Sequence, residues 1–153
     1  MKIADFLAPA DVKADVKADV TSTDKKKLLA ELAREAAAKI GIDANRIAAE
    51  LYKREELGST GVGGGVAIPH ARFQQATTPF GLLARLKKPI DYDAVDGKPV
   101  DIVALLLLPE GSGGEQQLGA LACIARKLRT PAVTAALRRA RDSMDMYRIL
   151  TSD

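Results

Sequence analysis

The run Val100–Leu108 is the most apolar stretch of the chain, and it is bounded by Pro99 and Pro109. Its near-continuous aliphatic character reads as a central strand covered on both faces, because a strand with one wet face would alternate apolar and polar residues. Helices must then lie on both sides of the sheet. The expected fold class is α+β: a single domain over residues 1–153, built as a three-layer α/β/α sandwich. The central sheet is expected to be mixed, since both helices and hairpin-like turns connect its strands.

The flanking segments fit that plan. Asp5–Pro9 reads as an opening turn. Over Asp11–Val20, Val12, Ala14, Val16, Ala18 and Val20 alternate with Asp11, Lys13, Asp15, Lys17 and Asp19, which predicts a half-buried edge strand. Thr21-Ser22-Thr23 supplies an N-cap for a helix whose apolar face is Leu28, Leu29, Leu32, Ala33, Ala36 and Ile40, stopped at Gly41. A second helix from Asp43 to about Leu57 turns Ile47, Leu51 and Tyr52 inward. Ala71–Pro79 reads as a connection, Gly81–Leu86 as a strand interrupted by Lys87-Lys88-Pro89, and Asp96-Gly97 as a turn. Past the loop at Pro109–Gly114, a helix from Glu115 to Leu128 is expected to bury Leu118, Leu121, Ala122, Ala125 and Leu128. Helices over Pro131–Ala140 and Ser143–Leu150 follow, the second capped by Asp142.

Composition narrows the function classes. With 153 residues, 47% apolar, the chain is long enough for a substantial core. No apolar run is long enough to span a bilayer, and Met1–Leu7 lacks the apolar region of a secretory signal. The single cysteine, Cys123, cannot form an internal disulfide and is expected to be a small buried side chain. A cytoplasmic location is expected. The net charge of +3 gathers at Lys25–Lys27 and over Arg126, Lys127, Arg129, Arg138, Arg139 and Arg141. Such clusters are solvated helix faces or a docking face for an acidic protein. Nucleic-acid binding is not expected, because no basic motif is interleaved with aromatics.

The chemistry concentrates between Arg54 and His70, a stretch holding the only histidine and five of the twelve glycines. Glycines permit close backbone approach to a ligand, and Ser59 and Thr60 add hydroxyls. The loop is not a nucleotide P-loop, for no Lys-Ser or Lys-Thr follows it, and Ser59 lacks the flanks of a hydrolase elbow. A lone histidine is commonly a surface or satisfied core residue. One placed after such a loop, at a strand end, is a candidate to receive a phosphoryl group. Arg54, in the last helical turn before the loop, has four readings: dipole partner, charged tether, loop holder or phosphate ligand. Spacing does not choose among them. No metal, nucleotide or covalent cofactor is implied.

Arg54-Glu55, Leu57-Gly58-Ser59-Thr60-Gly61-Val62-Gly63 and Gly65-Val66-Ala67-Ile68-Pro69-His70 together resemble the signature of a bacterial family. It is the IIA component of the phosphoenolpyruvate-dependent phosphotransferase system, mannitol/fructose type, and the likeness is greatest to the nitrogen-regulatory branch. It covers about Ile3 to Leu150. The resemblance implies that His70 accepts a phosphoryl group from an HPr-like carrier. Donors for the phosphate would be Ser59, Thr60 and the backbone of Gly61 and Gly63, with Arg54 as anchor. A departure stands at Gln117, where family members usually carry a second histidine; an amide donates hydrogen bonds but bears no proton charge.

The resemblance further implies regulation of partners such as potassium transporters or sensor kinases according to phosphorylation state. Two alternatives accompany it. One is a sugar-specific IIA phosphotransferase that passes phosphate to a IIB partner. The other is a binding regulator left unphosphorylated because Gln117 replaces histidine.

Overall fold

The computed structural model describes residues 1–16, 25–110 and 114–152, with backbone alone for 114–118. Six strands form one sheet: β1 (Leu7–Val16), β2 (Gly61–Gly63), β3 (Val66–Ala67), β4 (His70–Phe73), β5 (Phe80–Ile90) and β6 (Val100–Pro109). The order is β1-β5-β6-β3-β2, and β4 also pairs with β6, beyond β3 along the same edge. β5 and β6 are antiparallel, whereas β1 runs parallel to β5, and β3 and β4 parallel to β6. The mixed sheet, the central place of β6 and the edge position of β1 match the sequence reading.

β6 divides its side chains between two cores, as a strand's period of two requires. Val103, Leu105 and Leu107 face α1 (Lys25–Ile40) and α2 (Ala44–Glu56), where they meet Leu28, Leu32, Ile47 and Leu51. Ile102, Ala104, Leu106 and Leu108 face α3 (Gly114–Leu128), α4 (Pro131–Arg139) and α5 (Ser143–Thr151). Each fully buried large aliphatic contributes about 1.5–3 kcal/mol by leaving water. Local signals set the helix ends. Asp43 and Asp142 cap α2 and α5 by accepting from the N–H of Arg46 and Asp145, and Gly41 takes a φ of +73° after α1. The expected cap at Thr21–Thr23 and the strand residues 17–20 lie outside the described residues.

Several local expectations are corrected. A short 3₁₀ turn at Ile3–Asp5 precedes β1, which already starts at Leu7. β1 does not alternate cleanly: its register slips between Leu7 and Val12 and again between Lys13 and Val16, so Asp11 and Val12 are both buried. Asp11 points one carboxylate oxygen inward without a hydrogen-bond partner, 3.9 Å from the Lys39 ammonium. An inward charge on an edge strand discourages pairing with another chain. Ala71–Phe73 belongs to β4, not to a connection, because Ala71 and Phe73 alternate inward against β6. Lys87-Lys88-Pro89 does not end β5. The β5–β6 register is irregular between Arg85 and Ile90, where a missing proline N–H costs least. The buried stripe of α3 is Ala120, Ile124 and Leu128; Leu121 and Ala125 are half-buried and Ala122 is exposed. Cys123 is likewise only half-buried. The side chain of Leu118 lies outside the described residues.

One buried cation ties the layers together. Arg85, on β5, donates to the carbonyls of Leu137 (2.9 Å) and Ala140 (2.7 Å) at the end of α4, and to Asp15 of β1 (3.1 Å). Arg85→Met would strand two carbonyls and remove an ion pair to the exposed Asp15 carboxylate. Urea unfolding should show a loss of about 2–4 kcal/mol, with partial recovery in Arg85→Lys; a loss below about 1 kcal/mol would contradict the anchoring role.

Candidate functional site

His70 opens β4, immediately after the Ile68-Pro69 step that separates β4 from β3. Its Nδ1 lies 2.9 Å from the carbonyl oxygen of Ile68. A carbonyl can only accept, so Nδ1 carries the hydrogen and Nε2 keeps a free lone pair. The ring is half-buried. Burial lowers its pKa below 6.5, the Ile68 carbonyl opposes that, and the guanidinium groups of Arg54 and Arg72 lower it further against the charge of Glu55. The imidazole is therefore held neutral at pH 7, with a defined tautomer.

The glycine stretch folds as a β-hairpin rather than as a cradle around His70. β2 pairs antiparallel with β3, and Gly63, Gly64 and Gly65 turn the chain with φ of +101°, +67° and +81°. That left-handed geometry strains any residue with a Cβ. Val66 pairs with Ile102 and His70 with Leu106, so four residues of strand, about 13 Å, lie between those two levels. Gly63, on the turn side of Val66, therefore stands away from the imidazole. The turn is held elsewhere: Gly64 N–H donates to Asp96 (3.0 Å), and Arg138 donates to Gly64 O (2.7 Å) and to both oxygens of Asp101. Gly61 serves close packing, since a Cβ there would sit 2.8 Å from Ala94.

Arg54, Ser59 and Thr60 spend hydrogen bonds on the protein itself. Arg54 donates to the carbonyl of Gly58 (2.8 Å), so it holds the loop. Only part of its donor set is used there. Ser59 donates to Tyr92 O (3.2 Å) and accepts from Gly61 N–H (3.0 Å). That occupies the Gly61 amide, which was expected to serve phosphate. Thr60 is buried and donates its hydroxyl to Glu55. Gln117 lies in the first turns of α3, and its side chain is outside the described residues. Of the basic clusters, Arg138 pairs with Asp101, Arg141 with Asp145 and Lys25 with Glu55, so these cations are already engaged.

Glu55 belongs to the motif that ends in His70, and its role becomes visible only in the fold. It is 4% exposed and accepts from Thr60 N–H (3.1 and 3.2 Å to its two oxygens), Tyr92 OH (3.1 Å) and Lys25 Nζ (3.3 Å). Burial and the Glu55 charge raise the Tyr92 pKa, so the phenol stays a donor. The partners come from positions 25, 60 and 92, which no local pattern connects.

The His70 pKa has a signed consequence. Because it is lowered in the fold, the contribution to stability is fully present above pH 6.5 and is lost as pH falls through the folded-state value. NMR titration of this single histidine should give a midpoint below 6.5, and Arg54→Gln should move it upward by removing a lowering charge. A midpoint at or above 6.5 would refute the held-neutral imidazole.

Comparisons with known proteins identify the family and the fold. The family model described as phosphoenolpyruvate-dependent sugar phosphotransferase system, EIIA 2, matches residues 12–153. A protein of Bradyrhizobium diazoefficiens named nitrogen regulatory protein is 44% identical over 150 residues, covering 98% of this chain and 95% of its own length. A fructose-specific EIIA component of Haloferax volcanii is 32% identical over 124 residues, covering 77% of this chain and 80% of its own. The crystal structure of nitrogen regulatory protein IIA-Ntr from Neisseria meningitidis superposes with a TM-score of 0.86 at 32% identity, covering 97% of this chain and 99% of that one. The chain thus belongs to the EIIA 2 family of the phosphoenolpyruvate-dependent sugar phosphotransferase system.

Proposed function

We propose that this chain is a histidyl phosphocarrier of nitrogen-regulatory type. It accepts a phosphoryl group on Nε2 of His70 from a phosphorylated HPr-like protein and signals by docking to partners in one phosphorylation state. The observation that carries the reading is the Ile68 carbonyl on Nδ1, which leaves Nε2 as the nucleophile on a half-buried ring. In the transfer, a P–N bond to the donor's imidazole breaks as a P–Nε2 bond forms. The donor ring leaves with the bonding pair, and Nδ1 of His70 keeps its proton throughout. Unused guanidinium donors of Arg54, and the nearby charge of Arg72, stabilise the equatorial oxygens electrostatically. Ser59, Thr60 and Gly61 hold the loop before β2 together instead of ligating phosphate, and Gly63 belongs to the hairpin turn away from the ring. Gln117, at the start of α3, tunes the rate or lifetime of the phosphohistidine.

Regulation follows from charge. A phosphate on His70 converts a region bearing Arg54 and Arg72 into one with added negative charge and bulk, which changes what can dock there. Among the described residues no helix is long and apolar enough to cross a membrane. We place the protein in the cytoplasm, with potassium transporters or sensor kinases as the kind of target. The likeness to the Haloferax volcanii fructose component favours a second reading, a sugar-specific IIA that hands its phosphate to a IIB partner.

Intact mass after incubation with phosphoenolpyruvate, the first enzyme of the system and the HPr-like carrier should show an acid-labile gain of one phosphate, absent in His70→Ala. Gln117→His should change the rate. Rapid onward transfer to a IIB domain would select the sugar reading. No gain, with another IIA protein modified in the same mixture, would leave a binding regulator without phosphoryl chemistry.

A further inference from the structure

A chain of hydrogen bonds runs from the buried Glu55 carboxylate to the imidazole. Both Glu55 oxygens accept from the N–H of Thr60, at 3.1 and 3.2 Å. The Thr60 carbonyl accepts from the N–H of Ile68 at 2.9 Å. The Ile68 carbonyl then accepts from His70 Nδ1 at 2.9 Å. The peptide that holds this last carbonyl ends in Pro69, which has no N–H, so that linkage donates nothing to the sheet. The next carbonyl, of Pro69, is pinned by Leu106 N–H at 2.9 Å. The short link between β3 and β4 is thus fixed from Thr60 on one side and from β6 on the other.

We propose that Glu55 is a positioning residue for phosphoryl transfer. Through Thr60 and Ile68 it holds the His70 ring with Nδ1 protonated and Nε2 presented to the donor. The proposal rests on the phosphocarrier reading for its catalytic consequence, but not for the orientation itself. At 4% exposure Glu55 does not reach a phosphate, so its hold on the ring's orientation is exerted through the backbone, beside the charge it places near the imidazole. Its acceptor capacity is met by four donor groups, the Thr60 amide and hydroxyl, Tyr92 OH and Lys25, drawn from three separate parts of the chain. An amide at this position would turn an N–H₂ toward some of these donors and lose part of the set. Thr60 would then be free to shift, and Ile68 with it. In-line attack tolerates little such displacement, since a misplacement of about 1 Å can cost about 100-fold in rate.

The test compares wild type with Glu55→Gln, using Arg85→Met as a destabilised control whose contacts lie away from this chain of bonds. Two-bond ¹H–¹⁵N correlations of the single histidine report the tautomer without any phosphoryl transfer. The Nδ1–H form should dominate in wild type and in Arg85→Met, and lose its dominance in Glu55→Gln. Single-turnover transfer from the phosphorylated carrier should fall roughly 10- to 100-fold in Glu55→Gln, with KM for the carrier unchanged. Tyr92→Phe, which removes one donor to Glu55, should move both readouts the same way by less, and it carries the test if Glu55→Gln does not fold. An unchanged tautomer, together with a rate no lower than that of Arg85→Met, would make Glu55 a purely structural residue and overturn the proposal. If wild type accepts no phosphate, the phosphocarrier reading fails, and the tautomer comparison still decides whether Glu55 orients His70.

Discussion

Apart from Asp101, β6 is buried on both faces. Its backbone groups are met by β5 on one side and by β3 and β4 on the other, and its side chains enter two separate cores. This burial demands helices above and below, and it lines up β3 and β4 along a single edge. The break between them, at Ile68-Pro69, is where the sheet stops consuming carbonyls in a regular ladder. His70 takes the carbonyl left over. The site is thus a by-product of how an edge is shared, with the imidazole tied to backbone that the central strand holds still.

Two buried ions do different work in this frame. Arg85 satisfies carbonyls at the end of α4 and reaches Asp15 of the edge strand, joining the sheet to the α3–α5 layer. Glu55 gathers donors from the start of α1, the approach to β2 and the segment after β5. Buried charges are costly when one partner is removed, and so favour a single arrangement of the elements that supply those partners. Both ions stand where apolar packing alone would specify little: a bulged edge strand in one case, a glycine-rich approach in the other.

Electrostatics around His70 is balanced rather than one-sided. Burial and the two arginines favour the neutral ring, whereas Glu55 and the Ile68 carbonyl favour the proton. A ring in such a balance keeps a lone pair to offer, which a permanently charged imidazolium would lack. Arg54 contributes twice, as a positive charge near the ring and as the holder of the Gly58 carbonyl.

The architecture was legible because it rests on short-range periodicity. The aliphatic run of β6, the stripes of α1 and α2, and the caps at Asp43 and Asp142 each declare themselves within a few residues. The motif ending in His70 also declared the family and the candidate nucleophile. What local pattern misjudged was set by pairing at a distance. Ala71–Phe73 became a strand only because β6 offered an edge, and Asp11 turned inward because β1 slips against β5. The glycine stretch offered amides that in the folded chain are spent on Ser59 and Asp96. Glu55 had no visible purpose until Lys25, Thr60 and Tyr92 converged on it. Sequence alone determined the apolar stripes that form most of the core and marked His70 as the candidate side chain. Only the tertiary structure decided the tautomer of that side chain, because the hydrogen bonds that select it pass between segments that the sequence keeps apart.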